Sequence, residues 1–168
     1  MKITTEPRSD QLNYEDFIGS PRTFLVAGVK TGSAEQKYDI ELAGEPRFWR
    51  PPLTVLRLLV AGWTDEATTW PEHAVTLFGD PSITFGRDKV GGIRISHMSH
   101  LPDDKPLTVN LTKTRGKREP ITVQPMPRAE YLRAEWRTAT PERRAEIEAE
   151  VAALSQPDGP LIPNGGGQ

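Results

Sequence analysis

Residues 70–100, WPEHAVTLFGDPSITFGRDKVGGIRISHMSH, decide how the chain is expected to fold. Val75 and Leu77 alternate with Thr76 and Phe78, Gly79-Asp80-Pro81-Ser82 has turn chemistry, Ile83 and Phe85 follow, and Gly86-Arg87-Asp88-Lys89 turns again. Val90 to Ile95 reads as the next strand, with Gly91-Gly92 marking a bulge or sharp coil. Tight turns join neighbours in sequence, so the stretch predicts local antiparallel pairing, a β-meander with basic residues at its turns.

Upstream, the run TFLVAGV over 23–29 is rich in β-formers, and Gly28 inside it hints at a bulge or bend. Tyr38, Ile40 and Leu42 alternate with Lys37, Asp39 and Glu41, the pattern of a half-buried strand. Arg47-Phe48-Trp49-Arg50 then sets two aromatics between two guanidinium groups in a short strand or loop. Pro51-Pro52 opens a helix in which Leu56, Leu59, Val60 and Trp63 fall at i, i+3, i+4 and i+7, predicting one apolar face over about three turns. Downstream, Leu107, Val109 and Leu111 alternate with Thr108, Asn110 and Thr112, and a basic tip over 113–118 leads into the returning Ile121-Thr122-Val123.

Five or more short strands with one inserted helix predict a mainly β protein with helices, an OB-like small β-barrel over residues 21–126 preceded by an N-terminal arm at 1–20. Beyond Pro125 the composition turns to Ala, Glu and Arg. Tyr131, Leu132 and Trp136 predict a first helical stretch, and Thr140-Pro141 reads as an N-cap followed by a first-position proline. Ile147, Val151 and Leu154 form a narrow apolar stripe on the second helix, so residues 127–155 are a helical extension. The three prolines and the Gly-Gly-Gly of 156–168 predict a disordered tail.

Composition narrows the function classes. The net charge is −2, which excludes a uniform polycation. The charge is unevenly spread, however: residues 87–118 hold eight basic residues against three acids, a local surplus of five. There are no cysteines, hence no disulfide framework and no thiolate metal site. The first ten residues lack an apolar segment and no apolar run reaches about 18 residues, so the expected setting is cytoplasmic with no membrane span.

No set of residues announces catalysis. Asp65, Glu66 and Glu72 flank the helix end as solvated turn residues, and Gly91-Gly92 lacks the Lys-Ser/Thr that completes a phosphate loop. His97 and His100 point to opposite faces if the strand continues through them, and His73 adds no carboxylate or thiolate cluster to make a metal site. Neither an enzyme, a cofactor nor a metal is expected.

With the elements in place, residues 14–98 resemble a group of small phage and prophage proteins regarded as single-stranded DNA-binding proteins with an OB-like fold. The resemblance lies in YEDF at 14–17, PRTFLVAGV at 21–29, AGWTDEATTW at 61–70, VTLF at 75–78, ITFGRDKV at 83–90 and GGIRI at 91–95. It implies a single-stranded DNA-binding protein acting in phage-type replication or recombination within a bacterial host cytoplasm. The acidic, aromatic-ended tip by which bacterial single-stranded DNA-binding proteins recruit partners is missing here, where Pro160-Leu161-Ile162-Pro163-Asn164 is neutral.

Non-sequence-specific binding of single strands needs cations along the backbone path and aromatic faces for stacking, worth about 1–3 kcal/mol per base. Arg47, Phe48, Trp49 and Arg50, then Phe85, Arg87, Lys89 and Arg94, then Lys113, Arg115, Lys117 and Arg118 are the candidates. Arg94 either reaches a phosphate or pairs with an acid. Expected partners are single-stranded DNA, replication or recombination proteins, and a second copy through the C-terminal helix. The alternative class is a protein-interaction or inhibitor module using the barrel loops or helix 142–154.

Overall fold

The computed structural model describes residues 10–32, 38–85, 87–114 and 117–155. The strands are β1 (Arg22–Thr31), β2 (Tyr38–Leu42), β3 (Ala74–Asp80), β4 (Thr84–Phe85), β5 (Asp88–Lys89), β6 (Gly92–Met98), β7 (Leu107–Thr114) and β8 (Lys117–Pro125). The helices are α1 (Leu53–Trp63), α2 (Arg128–Trp136) and α3 (Pro141–Ser155). Six strands form one sheet in the order β2-β1-β3-β6-β8-β7, and β4-β5 is a separate small hairpin.

The meander forms only in part: its turns are made, but Ile83 to Phe85, expected as the middle strand, goes into the separate β4-β5 hairpin, and β3 passes it by to pair with β6. β3 pairs antiparallel with β1 and β6, with Leu77 opposite Ile95 and Phe78 opposite Arg94. At the first turn Asp80 Oδ1 accepts hydrogen bonds from the Ser82 backbone N–H at 2.9 Å and its hydroxyl at 2.6 Å, the Asx geometry that Asp-Pro-Ser favours. β6 starts at Gly92 rather than Val90 and runs on to Met98. Gly91 has φ +74, and a Cβ there would lie 2.6 Å from the Tyr14 ring, so the glycine permits both the turn and the close approach. β1 bulges between Val26 and Gly28, which keeps both Val26 and Val29 on the inner face while the strand bends.

The sheet is β-rich but open, where a barrel was expected: among the described residues no pairing joins edge strand β2 to edge strand β7. α1 occupies the space closure would need. On one side it shares a groove with Val29 of β1 and Tyr38 of β2; on the other, a Cβ at Gly62 would sit 3.4 Å from Leu107 of β7. Val55, Leu58, Leu59, Gly62 and Trp63 are the buried face of α1. Val60, expected in that face, is exposed, and Leu56 is only half-buried. Leu53, Val55, Leu56, Leu58, Leu59 and Val60 surround much of the helix with apolar side chains, so periodicity alone left its rotation open. Closest approach to Met98 and Leu101 at Gly62 sets it. Truncating Leu58 or Leu59, both fully buried, is expected to cost about 2–5 kcal/mol.

The outer face of the sheet is covered over one half only. α2 lays Ala134 and Tyr131 on Leu25, Ala74 and Met126, a second and smaller apolar cluster. Its Glu130 accepts a hydrogen bond from the Thr23 hydroxyl at 2.9 Å, and Thr23 pairs with Thr76 across β1 and β3 at 2.8 Å. α3 then packs on α2 through buried Ile147, with Arg143 forked onto Glu135 at 2.7 and 3.1 Å and Arg128 Nε on Glu150 at 2.7 Å. Thr140 caps α3 by accepting from the Arg143 backbone N–H at 3.2 Å, as Thr140-Pro141 predicts. Thus residues 127–155 are built onto the sheet. The arm through residue 9 and the tail from residue 156 lie outside the described residues.

Candidate nucleic-acid interface

The expected binding residues divide into three situations. The first group is consumed by the fold. Trp49 is 1% exposed, bridged to Ile40 by backbone hydrogen bonds of 2.9 Å in each direction, and offers no face to a base. Arg50 donates to Asp10 at 2.7 and 2.9 Å and to Asp39 at 2.7 Å, while its guanidinium carbon lies 5.4 Å from the centre of the half-buried Phe48 ring. Arg47 donates to Asp16 at 2.8 Å and to Glu45 at 2.9 Å. Burial would raise both carboxyls, but the Asn13 backbone N–H and then Arg47 hold Asp16 below its ordinary range, and Arg47 does so for Glu45. Residues 47–50 therefore tie the N-terminal segment to the sheet edge at β2.

The second group is exposed at one end of the sheet. Arg87 and Lys89 stand on the β4-β5 hairpin, between the end of β3 and the start of β6. Parallel pairing of β6 with β8, His97 to Gln124 and Met98 to Pro125, brings the start of β8 and exposed Arg118 to that same end. Arg115 and the side chains of Phe85, Lys113 and Lys117 lie outside the described residues. Arg87, Lys89 and Arg118 are thus brought to one end of the sheet by topology.

Arg94 stands alone in the third. Only its 97–98 and 124–125 segments pair β6 with β8, so the two strands part further back and leave a groove of about 460 Å³ on the uncovered half of the outer face. Phe78, Arg94, His97, Thr122 and Gln124 line it, with Asp80 and Glu119 at its margin. The Arg94 side chain is only 15% exposed, and among the described residues its ion pair is a loose 3.6 Å from Nε to Asp80 Oδ2. Nε is buried with no hydrogen-bond partner. Leaving that one buried donor unpaired costs about 1–3 kcal/mol.

Phe78 was legible as a residue of the outer face, opposite Val75 and Leu77, but carries no charge and did not stand out as a site. Its membership of the groove depends on where α2 stops. Thr122 and Gln124 needed the β6-β8 pairing, which no local pattern in the chain announces.

The histidines separate. His97 is in the groove, its Nδ1 held 2.8 Å from the Ser96 hydroxyl. His73 and His100 stack with ring centroids 4.1 Å apart, between Trp63 of α1 and Tyr131 of α2. Burial first, and then the neighbouring His100, pushes the His73 imidazole down to about 4 from the ordinary 6.5. Among the described residues no three His, Cys, Asp or Glu side chains are grouped to hold a metal. A second, larger groove of about 660 Å³ between β1 and α2 is lined by Glu72, Glu135 and Arg143, and its arginine is already saturated by carboxylates.

Fold and groove together define a mixed α/β protein with an open, half-covered sheet. Searches of family models, curated proteins and solved structures gave no match. No helix among the described residues is long and apolar enough to cross a membrane.

Proposed function

We propose that the chain is a non-enzymatic single-stranded DNA-binding protein acting in phage-type DNA replication or recombination. One observation carries this reading: the uncovered half of the outer sheet face combines a half-exposed aromatic, Phe78, and an undersatisfied guanidinium, Arg94, at the end where Arg87, Lys89 and Arg118 are exposed. A strand laid along that end meets cations first and a stacking surface next, the two parts that sequence-tolerant single-strand binding needs. The path differs from one running through residues 47–50, whose arginines are held by Asp10, Asp16, Asp39 and Glu45.

The alternative, a protein-interaction module contacting partners through helix 142–154, has less behind it. Ile147 is buried against α2 and Val151 is half-buried, leaving Leu154 as the exposed member of the stripe. The test is fluorescence anisotropy of a labelled strand. Arg87→Gln with Lys89→Gln is expected to weaken oligo-dT binding and to flatten its dependence on log salt by about 0.7 per charge removed. Unchanged affinity and slope in the double variant would remove the hairpin from the interface.

A further inference from the structure

The two edges of the sheet are treated differently. β2 is closed at its centre: Ile40 and Trp49 exchange backbone hydrogen bonds of 2.9 Å, and Arg50 holds Asp39 at 2.7 Å beside them. β7 is eight residues long and pairs with β8; among the described residues nothing pairs with its other side. Edge strands that must stay single carry lysine, proline or a bulge to refuse a neighbour. Over 107–111, LTVNL, β7 carries none of these, and its bulge lies beyond, between Thr112 and Thr114.

Two observations say which peptide groups of β7 face outward. Asn110 lies opposite Pro120, which has no N–H to give, and proline is tolerated in a sheet where its nitrogen faces no ladder. Thr108 lies opposite Thr122 with their hydroxyls 2.8 Å apart, the close side-chain approach of a pair that exchanges no backbone hydrogen bonds. The N–H and C=O groups of Thr108 and Asn110 are thus turned to the open side, as strand alternation requires of residues at i and i+2. On the inner face Leu107 and Val109 pack against the main core but are only half-buried, so the core reaches this edge without being closed over.

The charges at its two ends select what the edge takes. Asp103 and Asp104, both exposed, give the entry PDDKP at 102–106 one acid in excess. The sequence that turns from β7 into β8, KTRGKR at 113–118, carries four cations and no acid. A strand with an acidic entry and a basic exit is complementary to itself run in the opposite direction. Self-pairing satisfies both ends at once, which neither the neutral PLIPN of 160–164 nor an all-acidic segment would.

We propose that β7 is the docking edge for a second copy of this chain, paired antiparallel across a twofold axis so that the two six-stranded sheets join into one. With the axis through Asn110, Thr108 faces Thr112 of the other copy, and each acidic entry lies beside the other copy's basic exit. The apolar inner faces at Leu107 and Val109 adjoin across the join. An edge ladder is at the small end of interface size, so the dimer forms and dissociates with concentration. It uses neither the α3 stripe nor the groove at Arg94, and it stands whether or not the chain binds DNA.

The experiment is sedimentation velocity on the intact chain over a series of protein concentrations. A monomer–dimer equilibrium is expected, and a monomer at every concentration overturns the proposal. Asn110→Lys sets two ammonium groups against each other on the axis and is expected to weaken the dimer about tenfold while leaving the monomer folded by circular dichroism. A dimer of unchanged strength in Asn110→Lys overturns the proposal, since a contact through α3 would behave that way. A charge exchange keeps the test decisive should that variant fail to fold. Asp103→Lys with Asp104→Lys, and separately Lys117→Glu with Arg118→Glu, each set like charges at both junctions and are expected to be monomeric alone. Mixed in equal amounts they restore both junctions, and a heterodimer is expected. Undiminished homodimers of either variant, or no heterodimer on mixing, overturn the pairing.

Discussion

Arg50 and Arg94 carry the same charge into opposite situations. Arg50 is surrounded by carboxylates from two segments, Asp10 before the sheet and Asp39 within β2, and its side chain is 15% exposed. Arg94 is buried to the same degree and has one distant acid. The first is a structural clamp, and the second is the cation that the proposed function assigns to the DNA path. Arg50→Gln is accordingly expected to lower Tm by about 2–6 °C and to leave oligo-dT affinity within about twofold, as thermal unfolding and anisotropy would report. A large loss of affinity without loss of Tm would return residues 47–50 to the DNA path. From residues alone, Arg-Phe-Trp-Arg has the composition of a stacking site. What the sequence could not disclose is that Trp49 bridges to Ile40 and turns inward, a decision made by a long-range pairing.

At the scale of elements, the histidine stack links α1, the β3 approach and α2. His73 titrates near 4 in the folded protein and near 6.5 when unfolded, so the neutral form is the one the fold accommodates. His100 is also lowered, by burial and then by Arg128, with Glu72 opposing. Below the unfolded value the unfolded chain takes up protons that the native state refuses. Stability is therefore complete above about pH 6.5 and declines as pH falls toward 4. The lowered Asp16 and Glu45 carboxyls contribute only as pH falls through their own range, from ordinary values of 3.8 and 4.5 downward. Tm is expected to drop between pH 7 and pH 5, and His73→Leu is expected to shrink that drop; an equal drop in the variant would assign it elsewhere.

The same elements bear on the helical extension. The Thr140-Pro141 start and the Ile147 stripe were readable because capping and helical period are local. That α2 closes the Leu25, Ala74 and Met126 cluster was not, since it depends on a β-strand and a helix more than a hundred residues apart in the Thr23–Glu130 hydrogen bond. Deleting residues 127–168 exposes that cluster. The truncated chain is expected to lose several degrees in Tm and to bind a hydrophobic dye, whereas an unchanged melting curve would make the extension a separate module.

For the whole molecule, local chemistry over 70–100 fixed two turns and the inward side of Val75 and Leu77, whereas the pairing of β3 with β6 past the separate β4-β5 hairpin did not follow from it. The open edge and the parallel join of β6 to β8 escaped it, because both depend on how distant strands meet around α1. Those two features create the half-covered face and the groove on which the functional reading stands. Three of the four tryptophans, Trp49, Trp63 and Trp70, are buried, so intrinsic fluorescence is a poor reporter of stacking and a labelled strand is the right one. The decisive measurement is the anisotropy of labelled oligo-dT titrated with the intact chain from about 50 mM to about 200 mM salt. Micromolar or tighter binding at the low end, with log affinity falling against log salt at a slope of about −2 to −3, is the expected result for three or four phosphates contacted. No change in anisotropy at about 50 mM salt would contradict the assignment.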